Sequence, residues 1–98
     1  MTGVAQNPAT PYEYRLYNNY PNPFNPSTMI RYDLKQEGPV SLKIYDVLGR
    51  EVATLVSGRQ PAGPHSVVFD AGRFATGAYF YTLRAGSFVK TEKMMLVK

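Results

Sequence analysis

The sequence predicts an all-β domain, a sandwich or barrel of about seven short antiparallel strands. Three observations predict it. From residue 28 onward apolar side chains alternate with polar ones at a period of two. Clusters of Gly, Pro, Asn and Asp interrupt that alternation roughly every ten residues. No stretch carries apolar residues at i, i+3, i+4 and i+7 over the length of a helix. Composition agrees: eight Tyr, five Phe and many Val and Thr suit a pleated, half-buried surface. With 98 residues there is material for one modest core.

The elements follow in order. Residues 1–11 are small and polar, with Pro8 and Pro11 and no apolar period, and read as linker. The domain boundary is placed just beyond, giving a linker at 1–14 and a domain at 15–98. A short aromatic run, Tyr12 to Tyr17, leads into a Pro/Asn-rich stretch in which Pro21, Pro23 and Pro26 fix φ, which favours an ordered loop and excludes a helix. Ile30, Tyr32 and Leu34 then alternate with Arg31 and Asp33, and Val40, Leu42 and Ile44 with Ser41 and Lys43. Each run reads as a strand with one buried face. Asp46-Val47-Leu48-Gly49-Arg50 predicts a hairpin turn, with Asp46 bonding back to the turn backbone and Gly49 adopting positive φ. A strand at Glu51–Val56 ends at a breaker cluster, Ser57–Pro64, which includes Gly63. Strands at His65–Asp70, Ala78–Arg84 and Phe88–Val97 follow, the second opened by a turn ending at Gly77. Tyr32, Phe69, Tyr79 and Tyr81 fall on core-facing parity.

Chemistry is sparse. Without cysteine the chain has neither disulfides nor a thiolate metal site, and with one histidine, His65, a nitrogen-ligated metal is equally poorly served. His65 shares parity with Val67 and Phe69 at a strand edge, a structural position more than a catalytic base. Asp33, Asp46 and Asp70 lie at or near strand ends, and Asp46 and Asp70 suit turn capping. No acidic loop resembles a calcium site, and no glycine-rich loop opens a helix to hold phosphate. No cofactor is expected, and no enzymatic activity. The net charge of +4 is spread along the chain, so a nucleic-acid partner is not expected. No segment approaches about 18 consecutive apolar residues, so direct membrane insertion is not expected either.

Recognisable motifs remain. Asn19-Tyr20-Pro21-Asn22-Pro23-Phe24-Asn25-Pro26-Ser27-Thr28, followed by Ile30-Arg31-Tyr32, resembles the opening of the C-terminal sorting domain of the type IX (Por) secretion system. Val40 to Val52 is similar to that family's central hairpin. Pro61-Ala62-Gly63, Gly77-Ala78-Tyr79-Phe80-Tyr81 and the ending Lys93-Met94-Met95-Leu96-Val97-Lys98 also match, in order, over about residues 15–98. Phe69 stands where the family often has Trp, which keeps an aromatic in the core. Similar modules also occur in flagellar hook-capping proteins.

The resemblance implies an immunoglobulin-like antiparallel β-sandwich of seven strands, carried at the end of a larger exported protein as a non-catalytic secretion and sorting signal. The implied partners are a covalently linked upstream cargo domain, the outer-membrane type IX translocon and its sortase-like processing protease. The implied location is secreted or cell-surface, by way of the periplasm, with possible release or surface attachment of the cargo after cleavage. A cut within residues 1–18 is expected, since that stretch is polar and outside the predicted core. For recognition the last strand is the candidate: Lys90, Lys93, Met94, Met95, Leu96, Val97 and Lys98 combine apolar and basic groups along an edge that a receptor strand can pair with. The alternatives are a structural immunoglobulin-like spacer, whose lysines guard the edge against aggregation, and a carbohydrate-binding accessory module of a secreted hydrolase. The latter requires an exposed row among Tyr12, Tyr14, Tyr17 and Tyr20.

Overall fold

A computed structural model describes residues 12–98, so the linker expected at 1–14 lies almost wholly outside the described residues. Among the described residues seven strands form: β1 (Arg15–Leu16), β2 (Ser27–Leu34), β3 (Gly38–Tyr45), β4 (Glu51–Gln60), β5 (Gly63–Asp70), β6 (Gly77–Ala85) and β7 (Phe88–Leu96). They make two antiparallel sheets, one in the order β1-β2-β5 and the other β4-β3-β6-β7. Of the sandwich or barrel that the period-two patterning predicts, this is the sandwich, as the resemblance implies.

Alternation builds the core from both sheets. Ile30, Tyr32 and Leu34 of β2 and Phe69 of β5 meet Leu42 and Ile44 of β3, Tyr81 and Leu83 of β6, and Met94 and Leu96 of β7; all are buried. Burying each such side chain stabilises the fold by about 1.5–3 kcal/mol, and packing of this kind has to suffice without disulfides. The buried tyrosines keep their hydroxyls bonded. Tyr81 donates to the Tyr17 carbonyl at 2.7 Å, Tyr79 to the Ala75 carbonyl at 2.7 Å, and Tyr32 to the Gln60 side chain.

One boundary differs from expectation. Ser57–Gln60 was expected to break the chain, yet β4 runs on to Gln60. These residues ladder onto the start of β3, with Val40 opposite Gly58, Pro39 opposite Arg59 and Gly38 opposite Gln60. Pro39 is tolerated because it precedes Val40, where the β6 ladder begins. Only Pro61 and Ala62 are left to turn the chain toward β5.

The Pro/Asn-rich segment crosses from one sheet to the other. Tyr17 N–H donates to the Arg31 carbonyl at 3.0 Å, and Tyr20 exchanges backbone bonds with Met29 at 2.9 and 3.0 Å, so the chain stays on β2. Asn19 Nδ2 then donates to Thr28 Oγ1 and to the Pro21 carbonyl, folding the loop onto itself. By Phe24 the chain has reached the other sheet, where it forms a parallel bridge with Leu96. Part of the window expected to contain a cleavage site is therefore inside the fold. Tyr14 stacks on Phe88 with ring centroids 5.4 Å apart, and Leu16 is buried in the core.

Candidate functional site

The candidate recognition residues lie on β7, with Val97 and Lys98 just after it; β7 is an edge strand whose partner on one side is β6. The ladder runs without a bulge from Gly77 opposite Leu96 to Ala85 opposite Phe88. Its far half is closed on the other side too. Phe24 N–H donates to the Met95 carbonyl at 2.9 Å, and Val97 N–H donates to the Phe24 carbonyl at 3.0 Å. Asn22 adds a side-chain contact, accepting from Met95 N–H through Oδ1 at 3.0 Å. The Phe24 ring is buried against Phe69, with centroids 6.1 Å apart. Asn22–Phe24 thus clamps the end of β7 by backbone and side chain together.

Within that frame the candidate residues divide. Met94 and Leu96 have no exposed surface and belong to the core, so their side chains are withdrawn from any partner of the folded domain. Their inclusion among the contact residues is corrected by strand alternation: the even positions face inward. Lys93 is exposed and pairs with Phe80 across the ladder, and among the described residues it makes no ion pair. Met95 is half-buried and Val97 is 48% exposed, both on the outward parity. Lys90 is exposed and ion-paired with Glu92 at 3.1 Å, a surface pair worth little by itself. Lys98 is anchored: its Nζ donates to the Gly72 and Phe74 carbonyls at 2.7 and 3.0 Å, and its N–H donates to Thr76 Oγ1 at 3.0 Å. The outward set is therefore Met95 and Val97 at the clamped end and Lys93 just before it.

The turn residues sit at the ends of the strands. Asp46 Oδ1 accepts from the N–H groups of Leu48 and Arg50 at 2.9 and 3.0 Å, and Oδ2 accepts from Arg50 Nε at 2.8 Å. Those donors, the Arg50 N–H above all, hold its carboxyl below the usual range. Gly49 has φ of +80°, which a side chain would disfavour. The turn leaves Val47 and Leu48 exposed at its tip. Gly63 and Gly77 open β5 and β6. Asp70 Oδ1 accepts from Gly72 N–H at 2.9 Å, and Asp33 accepts from the Tyr17 hydroxyl at 2.6 Å. That bond is the main reason the Tyr17 phenol is raised above its ordinary value.

His65 stacks on Tyr32 with centroids 5.2 Å apart, and its Nε2 lies 2.8 Å from the Pro61 carbonyl. It is engaged in structure. Among Tyr12, Tyr14, Tyr17 and Tyr20 no continuous stacking row forms. Tyr14 is covered by Phe88, Tyr17 carries Arg31 over its ring at 4.9 Å, and Tyr20 stands exposed. Sequence reasoning missed Asn22 and Phe24 as clamp residues. The available signal was Phe24, the lone Phe in a run of Asn and Pro.

The model of a family described as secretion system C-terminal sorting domain matches residues 18–98. No curated protein matches the chain.

Proposed function

The chain belongs to the secretion system C-terminal sorting domains, non-catalytic signals that route an attached cargo protein through type IX secretion to the surface or exterior of the cell, and from that premise we propose how it is read. The outer-membrane translocon meets the folded domain in the periplasm and contacts Lys93, Met95 and Val97 at the clamped end of β7, with Lys90 and Lys98 supplying further positive charge. A sortase-like protease then cuts the covalently linked upstream cargo free within the linker, ahead of Tyr14. The observation that carries this reading is the clamp. It holds Met95 and Val97 outward where the backbone is bonded by Asn22–Phe24, with the exposed Lys93 next to them on the same parity. A preorganised surface loses little entropy on binding, and positive charge steers an acidic receptor toward it. Neither the spacer nor the carbohydrate-binding alternative has an observation in its favour.

The test is a periplasmic reporter fused to residues 1–98, expressed in a type IX host and in the same host without the translocon. The reporter is expected outside the first and inside the periplasm of the second. Equal distribution in both would overturn the reading. Mass spectrometry of exported reporter is expected to find a terminus ahead of Tyr14, and residues 30–98 still attached would contradict the cleavage step.

A further inference from the structure

The near half of β7 has a property that the sorting role does not use. Its register with β6 is continuous, and Met95 and Val97 direct their backbone groups away from β6 toward the clamp. In an antiparallel ladder this orientation alternates, so Val89, Thr91 and Lys93 also direct N–H and C=O outward. Among the described residues those groups have no backbone partner. All three residues are exposed. The open edge is bounded on one side by the Gly86-Ser87 turn and on the other by the clamp at Met95. It therefore spans Phe88–Met94, and its midpoint is Thr91.

We propose that this edge is self-complementary, and that two copies of the domain pair antiparallel through β7, centred on Thr91, into one continuous eight-stranded sheet. Three observations select that register. First, centring on Thr91 places outward residues opposite outward residues: Thr91 faces Thr91 of the second copy, and Val89 faces Lys93 in both directions. Each of these pairs exchanges two backbone bonds. Second, it places Lys90 opposite Glu92 of the second copy, twice, by the two-fold symmetry. Opposite charges across a ladder stabilise it, and like charges destabilise it. Centring on residue 90 would set Lys90 against Lys90, and centring on residue 92 would set Glu92 against Glu92. Third, centring on residue 92 would also drive Leu96 of one copy opposite Phe88 of the other, into the space held by Phe24. Charge disfavours both neighbouring registers, and the clamp blocks the one centred on residue 92 as well.

The surroundings accept such a partner. A groove of about 210 Å³ runs between β1 and β7, lined by Tyr14, Arg15, Leu16, Tyr17, Phe88 and Lys90. Lys90 and Glu92 of a second copy would face it, bringing Arg15 within the same charged cluster. Edge lysines commonly oppose pairing. Here Lys93 lies opposite uncharged Val89, and Lys90 opposite a carboxylate, so neither penalises this register.

Sedimentation velocity of the 98-residue chain from micromolar to millimolar concentration tests the proposal. A monomer–dimer equilibrium is expected. Thr91→Pro removes an N–H that points away from β6, a position where an edge strand tolerates proline. It is expected to abolish the dimer while circular dichroism stays unchanged. Lys90→Glu and Glu92→Lys, each alone, are expected to dimerise about tenfold more weakly, and an equimolar mixture of the two is expected to restore dimer. A chain that stays monomeric throughout, or a dimer indifferent to Thr91→Pro, would overturn the proposal. So would a mixture of the two charge variants that associates no better than either alone.

Discussion

The two halves of β7 are built from similar residues and held quite differently. From Phe88 to Lys93 the strand has β6 on one side and an open edge on the other. From Met94 to Leu96 it is paired with β6 on one side and flanked by Asn22–Phe24 on the other, and just beyond its end Lys98 is tied to Gly72 and Phe74. The contrast teaches that the opening motif and the ending motif of this domain, distant in sequence, are one structural unit. The opening loop fixes the ending strand. What the far half displays, it displays rigidly; what the near half offers is unpaired backbone.

The sharpest way to break this comparison is to remove the clamp's anchor. Phe24→Ala should cost about 3–5 kcal/mol in urea unfolding, since the ring is buried against Phe69. In the molecules that remain folded, hydrogen exchange should quicken at the Met95 and Val97 amides more than in β6. Leu96→Ala should cost about 2–5 kcal/mol, whereas Val89→Ala on the open half should stay within about 0.5 kcal/mol. Similar losses at Leu96 and Val89 would erase the distinction between the halves. Deleting Lys93–Lys98 removes Met94 and Leu96 from the core and should unfold the domain, which circular dichroism would show, so it does not separate reading from folding.

A second test exploits Tyr81, whose hydroxyl joins β6 to the segment that leads into the clamp. Burial pushes its phenol up to about 12 from an ordinary 10.0. The folded state therefore holds the proton more tightly than the unfolded state. That stability is fully present below pH 10 and is lost as pH rises toward 12, by about 2 kcal/mol. Tyr81→Phe should lack this alkaline phase, followed by urea midpoints against pH. A smaller effect is expected at Asn22, where Asn22→Ala removes the bond to Met95 N–H and should cost about 1 kcal/mol. The smallest concerns the β3–β4 turn, remote from β7. The Asp46 carboxyl is depressed, so its contribution is present above the ordinary carboxylate range and fades as pH falls through its folded value. Asp46→Asn should flatten that acid limb slightly, and β7 amide exchange should not change.

Much of the sandwich was legible because period two is a local signal. Ile30, Tyr32 and Leu34 declare one face of β2, and Tyr79, Tyr81 and Leu83 one face of β6, and both sets are buried. The end of β4 was not legible, since Ser57–Gln60 looks like a breaker and becomes strand only through a ladder with Gly38–Ser41. The candidate site was half legible. Met94-Met95-Leu96-Val97 is apolar at both parities, so alternation in the sequence cannot say which two residues are core. The clamp was hidden for a different reason: the Phe24–Leu96 bridge joins distant segments, and no local pattern encodes it.

The central claim is that a folded domain is read on the outward residues at the clamped end of β7. The most direct measurement is export of a periplasmic reporter fused to residues 1–98 carrying Lys93→Glu, Met95→Thr and Val97→Thr together. Circular dichroism and urea unfolding of the purified variant verify its fold. The account predicts a folded variant that stays in the periplasm while the unaltered fusion reaches the surface or medium. A folded variant exported as well as the unaltered one would contradict it and move the recognition surface elsewhere on the sandwich.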